Sequence, residues 1–197
     1  MTTPLDKIKP AVRALRAYSL SPYRASIKIN QNENPWDAPA RIKEEVLRRF
    51  AARKWSRYPD FVPVSLHARL AEFAGWKPDG VIAGNGSNEL IQALLMVTIA
   101  SGKRVLISEP TFALYRQVTT VLGGGVESVP LTSSLKFDVE ALQRTIEEKQ
   151  PDVTIICSPN NPTGNQLDRQ EMIEVVDSLE DRLVLIDEAY VDFADYS

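Results

Sequence analysis

Apolar positions recur at helical spacing within residues 40–73 and then contract into short unbroken runs. Ile42, Val46, Leu47 and Phe50 share one face of a helix predicted over residues 40–50, and a second helix is predicted over 64–73. Before them, residues 1–40 are rich in Pro, Asn and Ser and predict an extended arm with a short helix over 10–17. The stretch 54–63, with Pro59 and Pro63, predicts a loop. From Val81 on, strands are predicted at 80–83, 104–108, 126–130, 153–157 and 183–187. Helices are predicted at 88–99, 113–122, 139–148 and 169–179. This alternation predicts an α/β fold, a mostly parallel sheet with helices on both faces. Two runs, Val153-Thr154-Ile155-Ile156-Cys157 and Leu183-Val184-Leu185-Ile186, predict strands buried on both faces. Gly123-Gly124-Gly125 breaks a helix from the next strand. No helix follows it, so it is not a dinucleotide fingerprint.

Composition narrows the picture only by exclusion. A chain of 197 residues has room for one large domain or one and a half, and its 44% apolar and 25% charged content is ordinary for a globular protein. A net charge of −3 gives no basic footprint for nucleic acid. No apolar run approaches the roughly 18 residues of a spanning helix, so no membrane partner is expected. The N-terminus lacks the apolar core of a secretory signal, and the single cysteine, Cys157, cannot form an internal disulfide. A cytoplasmic setting is the expectation. One histidine, His67, provides neither a metal cluster nor a serine-type triad, so no metal site is expected.

Candidate chemistry gathers behind the two apolar runs. Ser158-Pro159-Asn160-Asn161-Pro162-Thr163-Gly164 follows the first, and Asp187-Glu188-Ala189-Tyr190 follows the second. Open α/β sheets bind ligands just beyond the carboxyl ends of their parallel strands. The amide of Asn161, the carboxylate of Asp187 and the phenol of Tyr190 are therefore expected to converge on one crevice. That trio suits a pyridine ring bearing a phenolic oxygen, as in pyridoxal 5′-phosphate. Upstream, Gly84-Asn85-Gly86-Ser87-Asn88-Glu89 precedes an apolar helix. Its glycines permit close backbone approach, and a helix start offers free N–H groups to an anion. With no Gly-Lys-Ser/Thr it is not a P-loop, and Ser87 or Asn88 would serve as an ordinary N-cap.

These segments, with Tyr18-Ser19-Leu20-Ser21-Pro22-Tyr23, Ile27-Lys28-Ile29-Asn30-Gln31-Asn32-Glu33-Asn34-Pro35 and Ser56-Arg57-Tyr58-Pro59-Asp60, carry a resemblance that spans nearly the whole chain. The sequence resembles the fold-type I, pyridoxal-phosphate-dependent aminotransferases of class I/II, and within them the histidinol-phosphate aminotransferase branch, over that family's N-terminal half. The resemblance implies that Asp187 keeps the ring nitrogen protonated, and that Asn161 and Tyr190 hydrogen-bond the phenolic oxygen. It implies that Gly86, Ser87 and Asn88 hold the phosphate through backbone amides, and that Phe112 stacks on the ring with Tyr115 as a weaker candidate. Tyr58 would reach the phosphate of a neighbouring subunit in a homodimer.

The same resemblance implies transamination between L-histidinol phosphate and 2-oxoglutarate in histidine biosynthesis. The alternatives are a threonine-phosphate decarboxylase or aromatic aminotransferase relative, or a non-catalytic fragment that binds the cofactor and needs a partner. The lysine that attaches the cofactor is implied beyond Ser197, and Lys136 and Lys149 lack its context. The corresponding division is an arm with part of a small domain over 1–45 and a cofactor-binding large domain, cut before the lysine-bearing segment, over 46–197. An isolated chain of this extent is expected to be poorly stable and inactive alone, with an open sheet edge at its first strand.

Overall fold

The computed structural model describes residues 4–15 and 26–194. The Tyr18 to Tyr23 segment lies outside the described residues, as do positions 16 and 17 of the first expected helix. The chain divides into two compact units, one of residues 1–16 and 83–197 and the other of 17–82. An expected boundary at 45/46 falls inside a continuous helix, α2 (Ala40–Ala51).

The larger unit is built on four parallel strands in the order β2-β1-β3-β4: β1 (Arg104–Glu109), β2 (Gly125–Pro130), β3 (Val153–Cys157) and β4 (Leu183–Asp187). Alternation along the strands sorts side chains to two faces. Val105, Ile107, Val153, Ile155 and Cys157 meet Ile91 and Leu95 of α4 (Ser87–Thr98) and Tyr115 of α5 (Leu114–Leu122). Leu106 and Ile156 meet Leu142 and Ile146 of α6 (Val139–Lys149) and Val175 of α7 (Arg169–Asp177). Each such fully buried aliphatic side chain contributes about 1.5–3 kcal/mol, so the two-faced pattern is the main stabilising feature of this unit.

Local signals set the helix ends. Asp138 accepts from Ala141 N–H at 2.9 Å to start α6, and Asp168 and Glu171 form a reciprocal capping box on α7. Gly123 closes α5 in the left-handed region at φ 91°. Its neighbour Gly124 lies so close to Ile99 and Thr119 that a Cβ would sit 2.4 Å from the Ile99 side chain, which explains the second glycine of the run. The short helix α1 (Pro10–Arg13) docks on α5, with Lys9 Nζ donating to Val121 O at 2.9 Å.

Two expectations need correction here. Residues 80–83 form no strand. A 3-10 turn occupies Pro78–Gly80, and although Val81 is extended (φ −115°, ψ 131°), it has no ladder partner among the described residues. Extended backbone becomes a strand only by pairing. The second apolar run is not buried on both faces. β3 is buried throughout, but β4 is the sheet's edge, and Leu183 and Ile186 each remain 38% exposed.

The 17–82 unit contains α2 and α3 (Val64–Ala74), joined through the expected loop. Helix α2 buries none of its residues, and Ala71 is the one buried residue of α3. Among the described residues no helix is long and apolar enough to cross a membrane, and no cluster of His, Cys, Asp and Glu could hold a metal ion.

Candidate active site

Asp187 ends β4 beside Cys157, its register partner on β3, and Ser158 N–H extends the ladder to Asp187 O at 3.1 Å. Its carboxylate is buried, at 7% exposure. Oδ2 accepts from the Tyr115 hydroxyl at 2.6 Å and Oδ1 from Ala189 N–H at 3.1 Å. Among the described residues no lysine, arginine or histidine pairs with it. Buried carboxylates are seldom left without a positive partner, because desolvation penalises the lone charge by several kcal/mol or so. Burial pushes the Tyr115 phenol well above its ordinary range, and its bond to Asp187 adds to that, so Tyr115 stays a protonated donor. Burial likewise raises the Cys157 thiol, which fits a small apolar side chain in the core.

The loops after β1 and β3 are joined by one residue. Asn160, 3% exposed, accepts from Thr111 Oγ1 at 2.7 Å and donates through Nδ2 to Pro110 O at 2.9 Å and Thr163 Oγ1 at 2.6 Å. Its own backbone closes the turn, Asn160 N–H to Asn165 O and Gly164 N–H to Asn160 O, both at 2.8 Å. Asn161 is thus carried on a hydrogen-bonded turn and is half-buried. Phe112 stands over the start of α5, half-buried, with its ring edge-on to Tyr115 at 5.7 Å and 86°. Tyr190 is half-buried at the head of the 3-10 turn Val191–Phe193, three residues beyond Asp187.

Helix α4 returns to β1 through the short connection 99–103 and packs on the sheet, so its N-terminus lies at the carboxyl end of the strands. Its N-cap is Gly86, at φ 78°, rather than Ser87 or Asn88, and no side chain caps it. Ser87 and Asn88 are the first helical residues and are exposed, which leaves their N–H groups available. Nothing lies within 4 Å of where a Gly86 Cβ would be, so this glycine is required by its backbone angle rather than by crowding. Glu89 folds back to accept from Asn85 N–H.

The structure therefore brings Asp187 and Phe112 to Tyr115, and ties the turn bearing Asn161 to the Pro110 loop. Tyr58 belongs to the other unit, where its side chain is 92% exposed. In the arm, Asn34 accepts from Trp36 N–H at 2.9 Å in a local turn. Sequence reasoning missed Asn160, whose role depends on a contact to residues 110 and 111. It also missed the Tyr115–Asp187 bond. No local signal pointed to the latter, because Tyr115 and Asp187 lie 72 residues apart in the chain.

A family model for aminotransferase class I and II matches residues 24–197. The chain is 40% identical over 190 residues to a histidinol-phosphate aminotransferase of Chlorobium phaeobacteroides, covering 96% of this chain and 52% of that one. It is 38% identical to the enzyme of the same name from Chlorobaculum tepidum, over 95% and 54% of the two. Among solved structures, the histidinol-phosphate aminotransferase of Clostridium acetobutylicum superposes with a TM-score of 0.70 at 26% identity, over 83% of this chain and 47% of that one. The Sinorhizobium meliloti protein of that name, in complex with pyridoxal-5′-phosphate, gives 0.83 at 21% identity over 95% and 52%. The chain spans about half the length of the relatives it matches.

Proposed function

Because this chain belongs to the aminotransferase class I and II family, we propose that the protein carrying it binds pyridoxal 5′-phosphate and transfers the amino group of L-histidinol phosphate to 2-oxoglutarate. One observation carries the reading: Asp187 is a buried carboxylate at a strand's carboxyl end with no cationic partner among the described residues. Asp187 would hold a protonated pyridine nitrogen there, whose positive charge answers the carboxylate. Bound there, the cofactor contributes an electron-withdrawing ring that accepts the electron pair freed at the substrate α-carbon.

The chain's own residues do the holding. Asp187 keeps a proton on the ring nitrogen. Asn161 and Tyr190 donate hydrogen bonds to the phenolic oxygen. The free N–H groups of Ser87 and Asn88, at the positive end of α4 and reached past Gly86, bind the phosphate. Phe112 covers a ring face, retaining the stacking surface without a polar tip. Tyr58, fully solvated in a single chain, supplies a hydroxyl to the phosphate site of a second copy, so the complete site is homodimeric. The choice of histidinol phosphate rests on the names of the two similar Chlorobium-group proteins and on the Asn-Gln-Asn-Glu-Asn-Pro arm.

The test is steady-state transamination by the full-length protein. Asp187→Asn is expected to lower kcat on the order of a hundredfold or more, because the carboxylate that keeps the ring nitrogen protonated is lost and the ring becomes a weaker electron sink, with circular dichroism unchanged. Near-normal turnover would remove Asp187 from this role.

A further inference from the structure

We propose that Tyr115 is a positioning residue for Asp187, holding the carboxylate in one orientation through its hydroxyl. The proposal rests on the reading of Asp187 given above. Asp187 is buried beside Cys157, a member of the apolar cluster on the α4 and α5 face of the sheet, where little water reaches its charge. Two donors meet it instead: the Tyr115 hydroxyl at 2.6 Å and Ala189 N–H at 3.1 Å. The backbone donor is two residues away and follows Asp187 if β4 shifts. Tyr115 comes from α5, 72 residues earlier, and ties the carboxylate to an element other than its own strand.

Tyr115 is itself well fixed. Its ring is 1% exposed, packs edge-on to Phe112, and its carbonyl accepts from Thr119 Oγ1 at 2.7 Å. A hydrogen bond from a fixed donor limits the rotamers open to the carboxylate. The phenol therefore links the residue under one face of the candidate ring to the residue at its nitrogen.

A double-mutant cycle in the full-length holoprotein tests this, using pyridoxal 5′-phosphate as the titrant and kcat and KM as parallel readouts. Tyr115→Phe keeps the ring and removes only the hydroxyl. It is expected to weaken cofactor affinity and lower kcat by about 10- to 100-fold, the range for a hydrogen bond to a charged group, with the KM for the amino donor little changed. In an Asp187→Asn background the same substitution is expected to change both within about twofold.

Equal losses in the two backgrounds would show that the hydroxyl acts through packing and would overturn the proposal, as would a silent Tyr115→Phe beside a crippled Asp187→Asn. Normal affinity and turnover in Asp187→Asn alone would defeat the underlying reading and the proposal with it. If Tyr115→Phe unfolds the protein, the melting temperature completes the cycle. Recovery on adding Asp187→Asn supports the coupling, and no recovery overturns it.

Discussion

The two units have similar sequence patterns and different interiors. Helix α6 places Leu142 and Ile146 one turn apart and buries both to within 1%. Helix α2 places Ile42, Val46 and Phe50 just as regularly and leaves them 48%, 58% and 55% exposed. Around α2 and α3, Trp55, Phe61, Phe73 and Trp76 are also at least 65% exposed. Periodicity specifies that a helix has an apolar face. It does not specify whether the same chain contains the surface that covers it. In the larger unit the four-stranded sheet supplies that surface on both sides, so pattern and burial agree.

The sharpest way to break this contrast is truncation in each unit. Ile146→Ala should lower the stability of the protein by about 2–5 kcal/mol in chemical denaturation, as a cavity between α6 and the sheet. Phe50→Ala should cost within about 0.5 kcal/mol if its face is solvated. A loss at Phe50 as large as at Ile146 would mean that something covers α2 in the working protein. A smaller effect sharpens the comparison, because it should be equal in the two units. Gly123 and Gly75 both end helices in the left-handed region, at φ 91° and 63°. Replacing either with Ala should cost about 1–2 kcal/mol, since this term is local and independent of packing. A marked difference between the two would show that the units respond to backbone strain differently.

Much of the fold was legible in sequence for physical reasons that also explain what was not. β3 and the helices α4 to α7 combine strong periodicity with clear breakers and caps, as at Gly123, Asp138 and Asp168. Strand residues 80–83 and the full burial of β4 were misjudged because both depend on neighbouring strands, which local pattern does not contain. At the site, Asp187 and Asn161 stood out by position after their strands. The bonds from Tyr115 to Asp187 and from Asn160 to Pro110 join residues 72 and 50 positions apart, and only the folded sheet brings them together.

Asp187 is proposed to face a positively charged ring nitrogen. The most direct measurement is the ¹⁵N chemical shift of ring-labelled pyridoxal 5′-phosphate bound to the full-length protein and to Asp187→Asn. A protonated nitrogen is expected in the parent protein and an unprotonated one in the variant. The same protonation state in both would contradict it.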